Sequence, residues 1–164
     1  MLTSIKNVRK NLGISQSELS SYLNIPLKTI QKWEQGSRKT SEWIMDLVLD
    51  KLLSYKSSVN TVNDNSNEVL SYFNIKKRVK QVCDKYDIDK AYLFGLYVKG
   101  NADELSDLDL YIESDITGLE FFALREDLRY SIKKGIDLLI SSNVNQNSKI
   151  YNEIINTGVL IYKK

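Results

Sequence analysis

The sequence predicts two structural units, an all-α bundle followed by an α/β (α+β) unit with a small mixed sheet. Three observations support this division. Short helical patterns bounded by capping residues fill the first third of the chain. A polar stretch rich in Ser, Asn and Val follows at residues 54–68 and has no amphipathic period. Helical and strand-like patterns then alternate to the end. We therefore predict a helical domain at residues 1–55, a linker at 56–68 and the α/β domain at 69–164.

The amino-acid composition limits the chemistry available to the chain. Its 164 residues include no histidine and one cysteine, Cys83. Ser-His-Asp triads, His-ligated zinc and multi-cysteine zinc sites are thereby excluded. Cys83 falls in a helical pattern, so we interpret it as a packing residue. For an enzyme built from this sequence, we expect carboxylates, lysines and a hard cation to carry the chemistry.

Charge and hydropathy indicate which part of the chain binds a charged partner and in which compartment the protein is expected. Residues 1–55 hold 8 Lys and Arg against 5 Asp and Glu, so this is where we expect a polyanion to bind. No apolar run approaches membrane-spanning length. Residues 1–9 lack the basic-then-apolar pattern of a secretory signal. We expect a cytoplasmic protein that does not contact membranes.

The first unit contains four short helical patterns. Ile5, Val8 and Leu12 recur at helical spacing and predict the first helix, and the segment EWIMDLVLDKLL predicts the last. Residues that commonly start or stop helices separate the patterns: Gly13, Ser15 with Glu18 as its capping-box partner, Asn24, Pro26 and Gly36. Two short helices joined by a tight turn in a basic unit indicate a helix-turn-helix.

The segment ISQSELSSYLNIPLKTIQKWEQGSRKTS resembles the repressor-type (Xre-like) helix-turn-helix family, and the match covers about residues 3–53. The resemblance implies that residues 26–35 form the recognition helix in the DNA major groove. The base-facing candidates are Leu27, Lys28, Thr29 and Lys32, and the phosphate-contacting candidates are Gln16 and Arg38. The alternative is a solvated charged face on a bundle that docks another protein.

The second unit is predicted to run helix, strand, strand, helix, strand, helix, strand. In the first helix we expect Leu70, Phe73, Val79 and Val82 on the buried side. The predicted elements after it lie at residues 91–94, 108–114, 118–134, 135–141, 147–158 and 159–162.

Acidic residues in this unit indicate a metal site. Asp107 and Asp109 are two residues apart in a strand-like segment, so their side chains point the same way, about 6–7 Å apart. Two such carboxylates can hold one Mg²⁺ or bridge two ions. Asp137 lies in a later apolar strand and could add a third ligand if that strand is adjacent. Gly95 permits a tight turn whose N–H groups could hold phosphate, and Lys99 would add positive charge there.

Each of these features also has a structural interpretation. A lone D-x-D pattern is weak evidence for a metal site, because acidic residues often cap loops. Asp137 could be a salt-bridge partner on a strand edge. A Walker loop is excluded because Asn101 stands where that motif needs Lys.

The joint spacing G-L-x10-D-x-D, followed by an isolated Asp, resembles the G-S-x10-D-x-D pattern of the DNA polymerase β-like nucleotidyltransferase superfamily. The likeness is greatest to its minimal (MNT) members and runs over residues 69–164. It implies that Gly95, Leu96 and Lys99 bind the nucleotide while Asp107 and Asp109 hold Mg²⁺. Asp137 would be the third carboxylate, as metal ligand or general base. The sequence departs from the family at Leu96, which replaces a phosphate-binding serine.

The two resemblances together imply a function. MNT proteins are similar in role to antitoxins that adenylylate HEPN ribonuclease toxins from ATP. The fused helix-turn-helix implies repression of the protein's own operon by binding operator DNA, and units of this kind usually bind as homodimers. The alternative is a transcriptional regulator whose degenerate, inactive nucleotidyltransferase domain only binds nucleotide or toxin. A third option, adenylylation of a small molecule, would use the same site.

Overall fold

The computed structural model describes residues 5–55 and 70–164; the predicted linker lies outside these described residues. The helices are α1 (Ile5–Asn11), α2 (Gln16–Leu23), α3 (Leu27–Glu34), α4 (Glu42–Leu53), α5 (Tyr72–Cys83), α6 (Gly95–Val98), α7 (Gly118–Ile132) and α8 (Lys149–Thr157). The strands are β1 (Lys90–Phe94), β2 (Leu108–Glu113), β3 (Ile136–Ile140) and β4 (Val159–Lys163). This confirms the predicted fold class, a helical bundle followed by an α/β unit.

Local capping sets the helix boundaries of the N-terminal bundle. The Ser15 side chain accepts a hydrogen bond from the Glu18 backbone N–H, and Glu18 accepts one from the Ser15 N–H, which completes the predicted capping box. Asn24 ends α2 in the left-handed conformation, with φ of 53°. The buried side chains of the bundle include Ile5, Val8, Leu19, Ile30 and Leu52.

The four strands form one mixed sheet in the order β3-β2-β1-β4. Strands β2 and β3 are parallel, whereas β1 runs antiparallel to both β2 and β4. Alternate residues of β2, namely Leu108, Leu110 and Ile112, are fully buried in the main core with α5 and α7. Tyr111, between them, belongs to a smaller cluster with Ile154 of α8. The sheet therefore has helices on both faces.

The bundle and the α/β unit share one hydrophobic core. The Lys76 Nζ on α5 forms an ion pair with Asp46 of α4 at 2.7 Å, and the Tyr72 hydroxyl donates to the same carboxylate. The prediction that Phe73 is buried was wrong. Helix α5 starts at Tyr72 and buries Tyr72, Ile75, Val79 and Val82, which turns Phe73 outward with 43% of its surface exposed.

The thiol of Cys83 is fully buried on α5, and burial raises its pKa to about 12. A thiol with this pKa stays protonated near neutral pH, so it is a packing group and not a nucleophile.

Candidate functional site

The register of the sheet places two of the predicted acidic residues side by side. Asp109 lies in the central strand β2, directly opposite Asp137 of the parallel strand β3. Residues paired in this way point to the same face of a sheet. Their neighbours Leu108 and Ile136 are buried on the opposite face. Asp109 and Asp137 therefore share the face that carries Tyr111 and α8.

Asp107 precedes β2 and lies close to the start of β3. An added Cβ at Gly135 would lie 2.6 Å from Cγ of Asp107, so the carboxylate occupies the space that the glycine leaves. Lys134 fixes the loop before Asp107, because its Nζ donates to the carbonyl oxygens of Asp103, Glu104 and Ser106. The position of Asp107 thus depends on a glycine and a lysine at the start of β3.

Asp109 fills a similar space on the other side of β2. An added Cβ at Gly95 would lie 2.6 Å from its Cγ, and Gly95 has φ of +69°, a conformation that favours glycine. Burial raises the pKa of the Asp109 carboxyl, and the charges of Asp137, Glu153 and Asp107 raise it further. A hydrogen bond from the Leu96 backbone N–H opposes this rise. Asp109 is therefore the centre of a concentration of negative charge.

This donor set suits a hard cation. Carboxylate oxygens are the ligands that Mg²⁺ prefers. A cation would relieve the repulsion that, after burial, raises the pKa of Asp109. Within residues 5–55 and 70–164, however, no three acidic groups lie close enough together to hold a metal ion. Asp107 lies against Gly135 and Asp109 against Gly95, so the carboxylates point apart. The strand register puts Asp109 next to Asp137, and side-chain rotation would be needed to bring the oxygens of the three carboxylates together around a cation.

The predicted nucleotide-binding residues lie next to Asp109. Gly95 and Leu96 begin the single-turn helix α6, and the Leu96 side chain is 45% exposed. The N–H groups of this turn are the ones that could hold phosphate, and in the structure the Leu96 N–H donates to Asp109. The Lys99 Nζ forms an ion pair with Glu153 of α8 at 2.6 Å. Glu153 was missed in the sequence because no motif links α8 to the turn.

A cavity of about 260 Å³ opens beside the carboxylate pair. It is lined by Asp109 and Asp137 together with Phe94, Phe121, Arg125, Leu138, Leu139 and Ile150. Phe121 and Arg125 are one turn apart on α7, and sequence reasoning did not single them out. Their helical spacing of four residues was visible, but only the packing of α7 next to β3 shows that they reach the acidic pair.

The predicted DNA-contacting residues are distributed over α2, α3 and the turn that follows. Leu27, Lys28 and Lys32 of α3 are exposed, Thr29 is half-buried, and Arg38 is exposed beyond the helix. The Gln16 side chain does not point freely outward, because its Nε2 donates to Glu34 at 2.7 Å.

Glu34 is the centre of a small polar network in the bundle. The Arg9 guanidinium donates to both Glu34 carboxylate oxygens, at 2.6 and 3.0 Å. The Arg9 side chain is 11% exposed and the Glu34 side chain is 2% exposed. Burial tends to raise the pKa of Glu34, but hydrogen bonds from Arg9 and Gln16 outweigh it and hold the pKa below its ordinary value. This network fixes α1, α2 and α3 relative to one another.

Comparison with family models decides the class of the α/β unit. Residues 77–164 match the model described as polymerase beta, nucleotidyltransferase. The chain belongs to this nucleotidyltransferase family. Residues 5–42 of the nucleotidyltransferase, which contain α1, α2 and α3, match a model described as helix-turn-helix.

Several solved structures are similar to the nucleotidyltransferase. One is a toxin–antitoxin complex with AMP-PNP, with 15% identity over 54% of this chain and 73% of that chain and a TM-score of 0.48. Another is the tri-AMPylated Shewanella oneidensis HEPN toxin with MNT antitoxin, with 18% identity, coverages of 56% and 71% and a TM-score of 0.44. A MntA–HepT complex gives 16% identity, coverages of 56% and 72% and a TM-score of 0.42.

The search of curated proteins gave no match. None of the helices within residues 5–55 and 70–164 combines the length and apolar character needed to cross a bilayer.

Proposed function

We propose that this nucleotidyltransferase is an antitoxin that transfers AMP from MgATP to a hydroxyl group of a HEPN-type toxin and represses its own operon through the helix-turn-helix. The observation that supports transfer most strongly is the pairing of Asp109 with Asp137 on one face of the sheet, beside Gly95 and an open cavity. Both activities would take place in the cytoplasm.

The acidic residues have separate roles in this proposal. Asp107 and Asp109 would hold one or two Mg²⁺ ions, with Asp137 as a third ligand or as the base. Bound Mg²⁺ neutralises charge on the transferring and leaving phosphates. Asp137 is exposed at the cavity and can accept the proton of the attacking hydroxyl. The hydroxyl oxygen bonds to the α-phosphorus while the bond from that phosphorus to the bridging oxygen breaks, which releases pyrophosphate.

Leu96 weakens nucleotide binding in this scheme without removing the site. A leucine cannot donate the hydrogen bond that a serine hydroxyl gives to phosphate, which costs about 1–3 kcal/mol for a charge-assisted bond. The Leu96 side chain is 45% exposed, and the lining of the cavity beside Asp109 and Asp137 does not include it.

The antitoxin role follows from the combination of units. A helix-turn-helix and a nucleotidyltransferase domain share one core in this chain, which lets one protein bind operator DNA and carry out transfer. The choice of a HEPN-type toxin as the acceptor rests on the likeness of the G-L-x10-D-x-D spacing to the MNT proteins.

A transfer assay tests the proposal. The protein is incubated with Mg²⁺, ATP labelled at the α-phosphate and the product of the adjacent gene, and labelled protein is measured over time. We expect label on the partner with wild type and with Asp115→Asn, a control at an exposed carboxylate away from the pair. Asp109→Asn and Asp137→Asn should abolish transfer. Equal labelling by all four proteins would contradict the assigned site.

The second candidate is a regulator with an inactive nucleotidyltransferase domain. Two features favour this candidate: Leu96 stands where the family has a phosphate-binding serine, and the carboxylates of Asp107 and Asp109 point apart. Absence of transfer by wild type, together with intact operator binding, would support this candidate over the enzyme.

A further inference from the structure

Helix α4 carries exposed apolar side chains that neither DNA contact nor AMP transfer uses. Trp43 is 66% exposed and Leu47, one turn later, is 44% exposed. Lys51 follows after another turn and is also exposed. Phe73, 43% exposed, lies beside them, because its backbone N–H donates to the Asp50 carboxylate of α4 at 3.3 Å. We call Trp43, Leu47, Lys51 and Phe73 the α4 face.

The opposite side of α4 is already packed. Val48, Leu49 and Leu52 are buried in the shared core. Asp46 accepts hydrogen bonds from Lys76 and Tyr72 of α5. The α4 face is therefore the solvent-facing side of a helix whose opposite side is packed against the core and α5. It lies on a different helix from the recognition helix α3.

The spacing of the α4 face makes it complementary to itself. Trp43 and Lys51 are each four residues from Leu47, so a second α4 that crosses antiparallel at Leu47 would bring Leu47 against Leu47. It would also bring each Trp43 next to the Lys51 of the other copy. An ammonium group over an indole ring is attractive. A parallel arrangement would instead place Lys51 against Lys51, which is repulsive.

We propose that a second copy of this chain docks on the α4 face in this antiparallel arrangement, giving a two-fold symmetric dimer. A two-fold interface uses the same patch on both copies, which is what the order Trp43, Leu47, Lys51 provides. Such a dimer carries two α3 helices on one particle, as a palindromic operator requires.

The tryptophans of this protein allow a direct test. The chain has two, and Trp33 is partly buried in the bundle core. A Trp33→Phe background leaves Trp43 as the only indole reporter. Mass is measured by sedimentation equilibrium over a dilution series, and emission is recorded on the same samples. We expect a dimer that dissociates on dilution, with the Trp43 emission moving to longer wavelength as it does so.

Substitutions then locate the interface. Leu47→Glu places two carboxylates at the symmetry axis and should give a monomer at every concentration where wild type is dimeric. Lys51→Glu should weaken dimerisation about tenfold because two Trp43–Lys51 contacts are lost together, whereas Lys51→Arg should keep it. Leu119→Glu on α7, at a side chain 88% exposed, is the matched control and should not change the mass. Circular dichroism melting verifies that each variant is folded.

Three results would overturn the proposal. One is a wild-type monomer at all concentrations, which would leave the face to another protein. The second is a dimer that persists in Leu47→Glu. The third is a short-wavelength Trp43 emission that does not depend on concentration, since this would mean that the chain covers its own α4 face.

Discussion

Replacing Gly95 by alanine tests whether the position of Asp109 controls the reaction. The added Cβ would lie 2.6 Å from Cγ of Asp109, about 0.8 Å short of the 3.4 Å at which ordinary contact begins. The Oδ2 oxygen of Asp109 lies closer still, so the carboxylate must move by about 1 Å or more. A misplacement of that size in a catalytic group costs about 100-fold in rate. The left-handed conformation at φ of +69° adds a backbone cost of about 1–2 kcal/mol for an L-residue.

Alanine substitutions at two other glycines separate the backbone cost from the displacement of a carboxylate. Gly13 has φ of +73° with no atom within 4 Å of an added Cβ, so Gly13→Ala bears only the backbone cost. Gly135→Ala has no left-handed strain and displaces only Asp107. We expect Gly13→Ala to lose about 1–2 kcal/mol of unfolding free energy and to keep full activity. Gly95→Ala should lose at least as much stability and about 100-fold in rate.

The assay combines urea unfolding followed by circular dichroism with initial rates of labelled AMP transfer. If Gly95→Ala transferred AMP as fast as Gly13→Ala at equal folded concentration, the displaced carboxylate would not matter, and the role assigned to Asp109 would be wrong.

Three further predictions concern stability and DNA binding. Asp109→Asn should melt at a higher temperature than wild type in EDTA at neutral pH. Burial and neighbouring charges make the ionised carboxylate unfavourable in the folded state, which is why the pKa of Asp109 is raised. An unchanged or lower melting temperature would contradict this prediction. Arg9→Met should lower the unfolding free energy by about 3–5 kcal/mol, because it leaves Glu34 buried without its cation. Because the pKa of Glu34 is lowered in the folded protein, the Arg9–Glu34 pair stabilises the fold fully above the ordinary carboxyl pKa, and this stabilisation is lost as the pH falls through the folded-state pKa. Urea unfolding should therefore show a smaller loss of stability on Arg9→Met in acid than at neutral pH. Lys28→Ala should weaken operator binding by about 1–3 kcal/mol in a gel shift without lowering the melting temperature, whereas Lys77→Ala, on α5, should leave binding unchanged.

Local signals were sufficient to predict the order and type of the elements, except for the single-turn helix α6, which the predicted order left out. The capping box of Ser15 and Glu18 and the left-handed Asn24 depend on residues within a few positions of one another, and the structure has them as predicted. The mistake at Phe73 had a local cause as well. The prediction was right at Val79 and Val82, but at the start of α5 it is Tyr72 and not Phe73 that occupies the buried side.

The site was predictable only in part. The i and i+2 spacing of Asp107 and Asp109 and the apolar setting of Asp137 pointed to the acidic group, but the pairing of Asp109 with Asp137 depends on strand register between distant segments. The cavity residues Phe121 and Arg125 become neighbours of that pair only through the packing of α7.

Side-chain orientation was not predictable from the pattern at all. The spacing of Asp107 and Asp109 predicted two carboxylates that point the same way, whereas they fill the spaces beside Gly135 and Gly95. Which space a carboxylate occupies depends on glycines that lie 28 residues after Asp107 and 14 residues before Asp109.

A crystal structure of the protein with Mg²⁺ and a non-hydrolysable ATP analogue would test the magnesium-dependent site most directly. We expect the Asp107 and Asp109 carboxylates to have turned toward each other, with Asp109 bonded to Mg²⁺ at about 2.0–2.1 Å and the phosphates next to Gly95. A nucleotide bound elsewhere, or Mg²⁺ held without either carboxylate, would contradict it.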